Sequence, residues 1–172
     1  MSSATPATPA TPAEHPSIAR VRAELTNHGA AADRIRVLDD SARTAAQAAD
    51  QLGVQVAQIA NSLLFDADGA PLLVMASGGH RVDTTKVATL VGATVVRRAD
   101  PEFVRSHTGF AIGGVAPVGH PHPIRALVDR DLAAYDVLWA AAGHPHAVFP
   151  TTYDELVTIT GGQPADVGVH EH

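Results

Sequence analysis

The chain contains no cysteine, which excludes disulfides, thiolate nucleophiles and thiolate metal sites. Of its twelve basic side chains one is lysine, Lys86, and the other eleven are arginine. Aromatic residues make up only 4% against a hydrophobic fraction of 45%, so a core must be assembled mainly from Ala, Val, Leu and Ile. No apolar run is long enough to span a bilayer, and no charged segment followed by an apolar one opens the chain, so a soluble cytoplasmic protein without a membrane partner is expected. The net charge of −6 makes a poor generic binder of phosphate backbone. A nucleic-acid partner would need a local basic surface, for which Arg81, Arg97, Arg98, Arg105, Arg125 and Arg130 are the candidates.

Glycine and proline, by contrast, are concentrated. The segment Gly109 to Pro123 holds four glycines and three prolines, a composition that fits neither a helix nor an inner strand. Apolar residues inside it (Phe110, Ile112, Val115, Val118) predict a packed loop whose backbone N–H groups are available to a ligand. At the N-terminus Ala-Thr-Pro recurs three times from Ala4 to Pro12, and residues 1–15 are expected to be a disordered tail. Residues 16–165 form the single expected domain, and 166–172 a flexible C-terminal tail.

Ile18, Val21 and Leu25 share one face of a helix that begins at Pro16 and stops before Gly29. A strand is predicted over Arg34–Leu38, then an alanine-rich helix capped by Asp40 or Ser41 and ending at Gly53. Asn61–Phe65, the turn Asp66-Ala-Asp68-Gly69 and Pro71–Ala76 read as a β-hairpin. Asp83 caps a helix closed by Gly92; after a strand over Thr94–Arg97, Asp100-Pro101 opens one closed by Gly109. Strands follow at Arg125–Asp129, Val137–Ala141 and Ala147–Phe149, and Thr152 with Glu155 opens a last helix ending at Gly161. Hairpins and helices without strict βαβ alternation predict an α+β fold with a mixed, mainly antiparallel sheet surrounded by short helices.

For chemistry, the ten histidines include two similar phrases, Gly119-His120-Pro-His122 and Gly143-His144-Pro-His146. Four imidazoles are a conceivable metal set, but the prolines and the lack of a suggestive spacing or nearby carboxylate argue against it, and neither metal nor cofactor is expected. No GxSxG and no suggestive carboxylate pair supports covalent catalysis. Polar residues at strand ends around the glycine loop form the remaining constellation: Asn61, Ser77, His80, Arg81, Asp83, Asp129 and His144.

Taken in order, Gln58-Ile-Ala-Asn-Ser-Leu-Leu-Phe65, Arg81-Val-Asp83, Arg98-Ala-Asp-Pro101, Thr108-Gly109, Gly113-Gly114-Val-Ala-Pro117-Val-Gly119, Val128-Asp129, Ala142-Gly143-His144 and Tyr153-Asp-Glu-Leu156 resemble the YbaK/ProX aminoacyl-tRNA deacylases. These are related to the editing insertion of bacterial prolyl-tRNA synthetases. The resemblance runs from about Thr44 to Gly162. It implies a barrel-like mixed sheet and hydrolysis of the ester between a small mischarged amino acid and tRNA, typically tRNA-Pro. The implied partners are the aminoacyl-tRNA acceptor end and prolyl-tRNA synthetase. Asn61, Gly113 and Gly114 fall at the implied catalytic positions; Ser77, His80, Arg81, Ile112, Pro117, Asp129, Gly143 and His144 fall where substrate is expected. The attacking water is assisted, in such enzymes, by the ribose hydroxyl of the tRNA. The family's characteristic lysine falls on Asn61, which donates and accepts but carries no charge. Two readings therefore stand: a deacylase, or a binding module for an amino acid or acceptor end whose catalysis is weakened.

Overall fold

The computed structural model describes residues 14–30, 32–39, 42 and 44–169. Its centre is the hairpin of β2 (Ile59–Ala67) and β3 (Ala70–Ser77), paired over eight residue couples from Ala60–Ser77 to Ala67–Ala70. Asp68 (φ +53°) and Gly69 (φ +92°) make the turn, the left-handed pair that a two-residue hairpin demands. The carboxylate of Asp68 also accepts from Thr94 N and Val95 N, and these bonds hold its pKa below the usual carboxylate value.

Around the hairpin lie β1 (Arg36–Val37), β4 (Val96–Arg98), β5 (Arg125–Asp129), β6 (Leu138–Ala141), β7 (Ala147–Thr151) and β8 (Gln163–Ala165). The order is β1-β7-β6-β2-β3-β5-β8, with β4 also on β2. β1–β7, β6–β7, β2–β3 and β2–β4 are antiparallel; β2–β6, β3–β5 and β5–β8 are parallel. The α+β class and mixed sheet are as expected, but the sheet does not close, and β1 and β8 are its ends. With two and three residues, and Pro164 inside β8, neither end offers enough donors to complete a barrel.

One feature of this order positions the site. Along the edge of β2 away from β3, β6 pairs with Ile59 and Ala60, and β4 pairs with Phe65 to Ala67. Between them β2 has no strand beside it, so the sheet forks. Gly78 N donates to Ile59 O on the β3 side, while Leu64 O accepts from Ala99 N on the other. Main-chain direction alternates along a strand, so the peptide groups of Ser62 face the fork.

Helices pack on both faces. On one, α1 (Pro16–Asn27) contributes Ile18, Val21 and Leu25, α4 (Pro101–Thr108) Val104 and α5 (Tyr153–Thr160) Leu156 and Ile159, packing with Leu64, Leu73, Met75, Val128 and Phe149. On the other, Val87 of α3 (Thr84–Val91) meets Phe65, Leu72, Val74 and Leu127. The glycine loop is packed as expected: Phe110, Val115 and Val118 are buried, while Ile112 is 48% exposed. Asp83, Asp100 and Thr152 cap their helices through the N–H of the third helical residue, and Gly92, Gly109 and Gly161 end them left-handed. Glu155 does not close the expected capping box; its carboxylate accepts instead from Thr151 Oγ1 at 2.7 Å. Among the described residues, no helix is long and apolar enough to cross a membrane.

Beyond shifts of one to two residues at strand ends, the structure departs from the sequence reading at four places. The first strand shrinks to Arg36–Val37, because Ala32–Arg34 coils into a 3-10 turn. Helix α2 (Ala45–Leu52) is capped by Thr44 and Gln47 in a reciprocal box, while Asp40 and Ser41 lie outside the described residues. Of the expected N-terminal tail, Glu14 pairs with Arg22 and His15 caps α1 by accepting from Ser17 N. Beyond residue 165, Val167 is buried, its carbonyl accepts from Asp83 N, and Lys86 Nζ donates to Gly168 O at 2.8 Å. The segment expected to be a flexible tail is therefore packed through Val169; residues 170–172 are outside the description.

Candidate functional site

The fork in the sheet opens into a cavity of about 340 Å³. β2 forms its floor through Asn61, Ser62, Leu63 and Leu64; α2 supplies Thr44, Ala45 and Ala48; the glycine loop supplies Ile112, Gly113 and Val115. β4 brings Arg98 to one bank, and the β6–β7 connection brings Ala141 and Pro145 to the other. Most of the lining is aliphatic, so its few polar groups define what it can bind.

Those groups differ in availability. The Asn61 amide, half-buried, makes no hydrogen bond among the described residues. Ser62 Oγ donates only to Met75 Sδ, at 3.2 Å. In the glycine loop Gly114 N donates to Ala111 O at 2.9 Å and Gly113 has φ +87°, the geometry of a turn that needs glycine at its third position. The amide of Gly114, expected to face substrate, is thus spent on its own turn. That of Gly113, the central amide of the turn, has no acceptor among the described residues. Gly114 is glycine for a packing reason: a Cβ there would lie 3.0 Å from the backbone of His144 and from Pro145 Cδ.

His144 itself stands behind the wall. Its Nδ1 accepts from His146 N, its ring lies edge-on to His15 at 5.2 Å, and Pro145 is what reaches the cavity. Gly143 (φ +95°) passes under α1, where a Cβ would meet Ser17 O at 2.6 Å. Both were expected to touch substrate; neither lines the cavity, and they shape the loop that carries Pro145 to it.

Ser77, His80 and Asp129 fall elsewhere, in a cluster at the far end of β3. Asp129, 1% exposed, accepts from Ser77 N at 2.9 Å and from Asp131 N at 3.0 Å. His80 Nε2 lies 2.8 Å from Asp129 Oδ2 and 3.1 Å from Asp131 Oδ2. These three are the one group among the described residues whose ligand atoms, within 4.8 Å of one another, could hold a metal ion. Arg81 is exposed, and its carbonyl accepts from Val169 N. Pro117 lines a third concavity with His120 and His122, so the two His-x-His phrases stay apart. His120 Nε2 donates to Ala116 O at 2.8 Å, and burial lowers its pKa below the ordinary imidazole value, opposed by that carbonyl and reinforced by Arg20.

Of the expected catalytic residues, then, the structure brings Asn61 and Gly113 together with Ile112. Thr44 and Ser62 were not singled out as site residues in the sequence; Pro145 was noted only as part of the Gly143-His144-Pro145 segment. Arg98 was visible within a quoted motif and as a basic residue, but nothing local gave it a role.

The family model of the aminoacyl-tRNA editing domain matches residues 39–159. The uncharacterized protein YwhH of Bacillus subtilis is 30% identical over 141 residues, which is 81% of this chain and 88% of that protein. The proline–tRNA ligase of Geobacillus kaustophilus is 31% identical over 145 residues, 77% of this chain but only 25% of the ligase. A solved structure provisionally described as a trans-editing enzyme for prolyl tRNA synthetase superposes with a TM-score of 0.85 at 43% identity, covering 91% of this chain and 99% of that one.

Proposed function

The chain belongs to the aminoacyl-tRNA editing domain family, and from that we propose that it acts in trans as a deacylase, hydrolysing the ester of a small amino acid mischarged on tRNA-Pro. The observation that carries this reading is the pairing, in one mostly aliphatic cavity, of two uncommitted donors: the Asn61 side-chain amide and the Gly113 N–H. Water attack on an ester carbonyl converts it to a tetrahedral oxyanion, and donors already in place for that charge lower the barrier. Among the described residues, none that lines the cavity is a carboxylate or an imidazole. In keeping with the family resemblance, the attacking water is assisted by the substrate's own ribose hydroxyl, which accepts the water's proton as it passes its own to the departing ester oxygen of the ribose.

The test is deacylation of alanyl-, cysteinyl- and seryl-tRNA-Pro by the unmodified protein beside Asn61→Lys. Turnover by the unmodified protein is expected and identifies the amino acid. The neutral Asn61 favours a second reading, a pocket that binds an amino acid or acceptor end without hydrolysing it. Hydrolysis by Asn61→Lys alone would establish that one.

A further inference from the structure

Among the described residues, Arg98 is the one charged residue lining the cavity. It lies opposite Phe65 in the β2–β4 ladder, so its side chain shares the sheet face of Leu63 and Asn61, two and four residues back along β2. Its guanidinium is exposed and makes no ion pair or hydrogen bond among the described residues. Arg97, its neighbour, projects to the other face with Nε 3.7 Å from Asp66. In a chain of net charge −6, an unpaired cation on the bank of the main cavity is an anion site.

We propose that Arg98 binds a backbone phosphate of the RNA acceptor end and so fixes which way the ligand lies in the cavity. This rests on the deacylase reading. An aminoacyl ester has no free carboxylate, and its amino group is a cation that a guanidinium repels. The anions such a ligand offers are its phosphodiesters, which the planar fork of arginine grips through two parallel N–H donors. The RNA therefore enters over the β4 bank, and the aminoacyl group points to the opposite bank, toward Ala141 and Pro145. Arg98 is a positioning residue, touching the substrate away from the reacting ester.

The experiment measures binding of a fluorescent, uncharged acceptor-stem RNA with a single-stranded 3′ end across a salt series, for the unmodified protein, Arg98→Ala, Arg98→Lys and Arg97→Ala. Arg98→Ala should weaken binding roughly 5- to 20-fold and reduce the slope of log affinity against log salt by about 0.7 to 1. Arg98→Lys should restore the slope but only part of the affinity, and Arg97→Ala should leave both unchanged. In turnover, Arg98→Ala should raise KM and leave kcat, because the phosphate contact is equal in ground and transition states. Binding by Arg98→Ala with unaltered affinity and slope overturns the assignment of Arg98 alone, as does an equal loss in Arg97→Ala. Failure of the unmodified protein to bind the RNA overturns the deacylase reading as well.

Discussion

The cavity at the fork and the cluster around Asp129 are built from the same kinds of residue and end in opposite states. Both sit where strands of one sheet stop being paired, and both collect polar side chains on a mostly aliphatic scaffold. Around Asp129 the polar groups turn toward one another: two backbone N–H groups donate to one buried carboxylate, and the His80 imidazole lies 2.8 Å from it. At the fork the Asn61 amide, the Gly113 N–H and the Arg98 guanidinium all face outward without partners among the described residues. A polar group whose partners are internal holds the fold; one left without them is free for a ligand.

If that contrast is right, the two regions must separate stability from activity. The largest effect is expected from Asp129→Ala, which strands the Ser77 N–H and removes the carboxylate facing His80. About 3 kcal/mol of unfolding free energy should be lost in a urea titration, while the kcat of the protein that remains folded changes little. A similar loss of kcat without loss of stability would erase the distinction. Next is Asn61→Ala, expected to lower kcat for deacylation by about 10²-fold, or ~2.7 kcal/mol, with urea stability within ~0.5 kcal/mol of the unmodified protein. A destabilised Asn61→Ala with normal turnover would place the residue in the structural class instead.

The smallest effect concerns His120, which belongs with the engaged groups. Its folded-state pKa is lowered, chiefly by burial, so the unfolded chain binds the extra proton first. Its contribution to stability is complete above the ordinary imidazole value of about 6.5 and declines as pH falls from there toward the folded-state value. Melting temperature plotted against pH should show that decline, and His120→Gln should flatten it. An unchanged profile in the variant would assign the acid sensitivity to other groups.

How far the sequence disclosed these regions follows from the range of the forces involved. Helix ends were legible because a cap and the N–H that donates to it are three residues apart, as at Asp83, Asp100 and Thr152. The hairpin was legible because Asp68-Gly69 is a local turn. Asn61 and Gly113 were named, but so were Ser77, His80 and Asp129, since a strand-end polar residue looks alike in sequence whether its partner is 52 residues away or absent. β8 escaped because Gln163-Pro164-Ala165 has neither alternation nor branched residues, and pairs only through β5. Arg98 was named among the basic candidates but not placed at the site, for the converse reason: it joins the bank of the cavity, on the sheet face of Asn61, only once β4 is laid on β2.

The fork has one more consequence, for inheritance rather than for energy. Where β4 and β6 part, the floor of the cavity presents the peptide group of Ser62, atoms that every residue except proline possesses in the same form. A ligand edge met by that peptide is recognised without regard to the side chain attached. The walls, made of Ala45, Ala48, Ala141 and Pro145, can then be exchanged to admit a different amino acid while the main-chain contact passes unaltered from one descendant to the next.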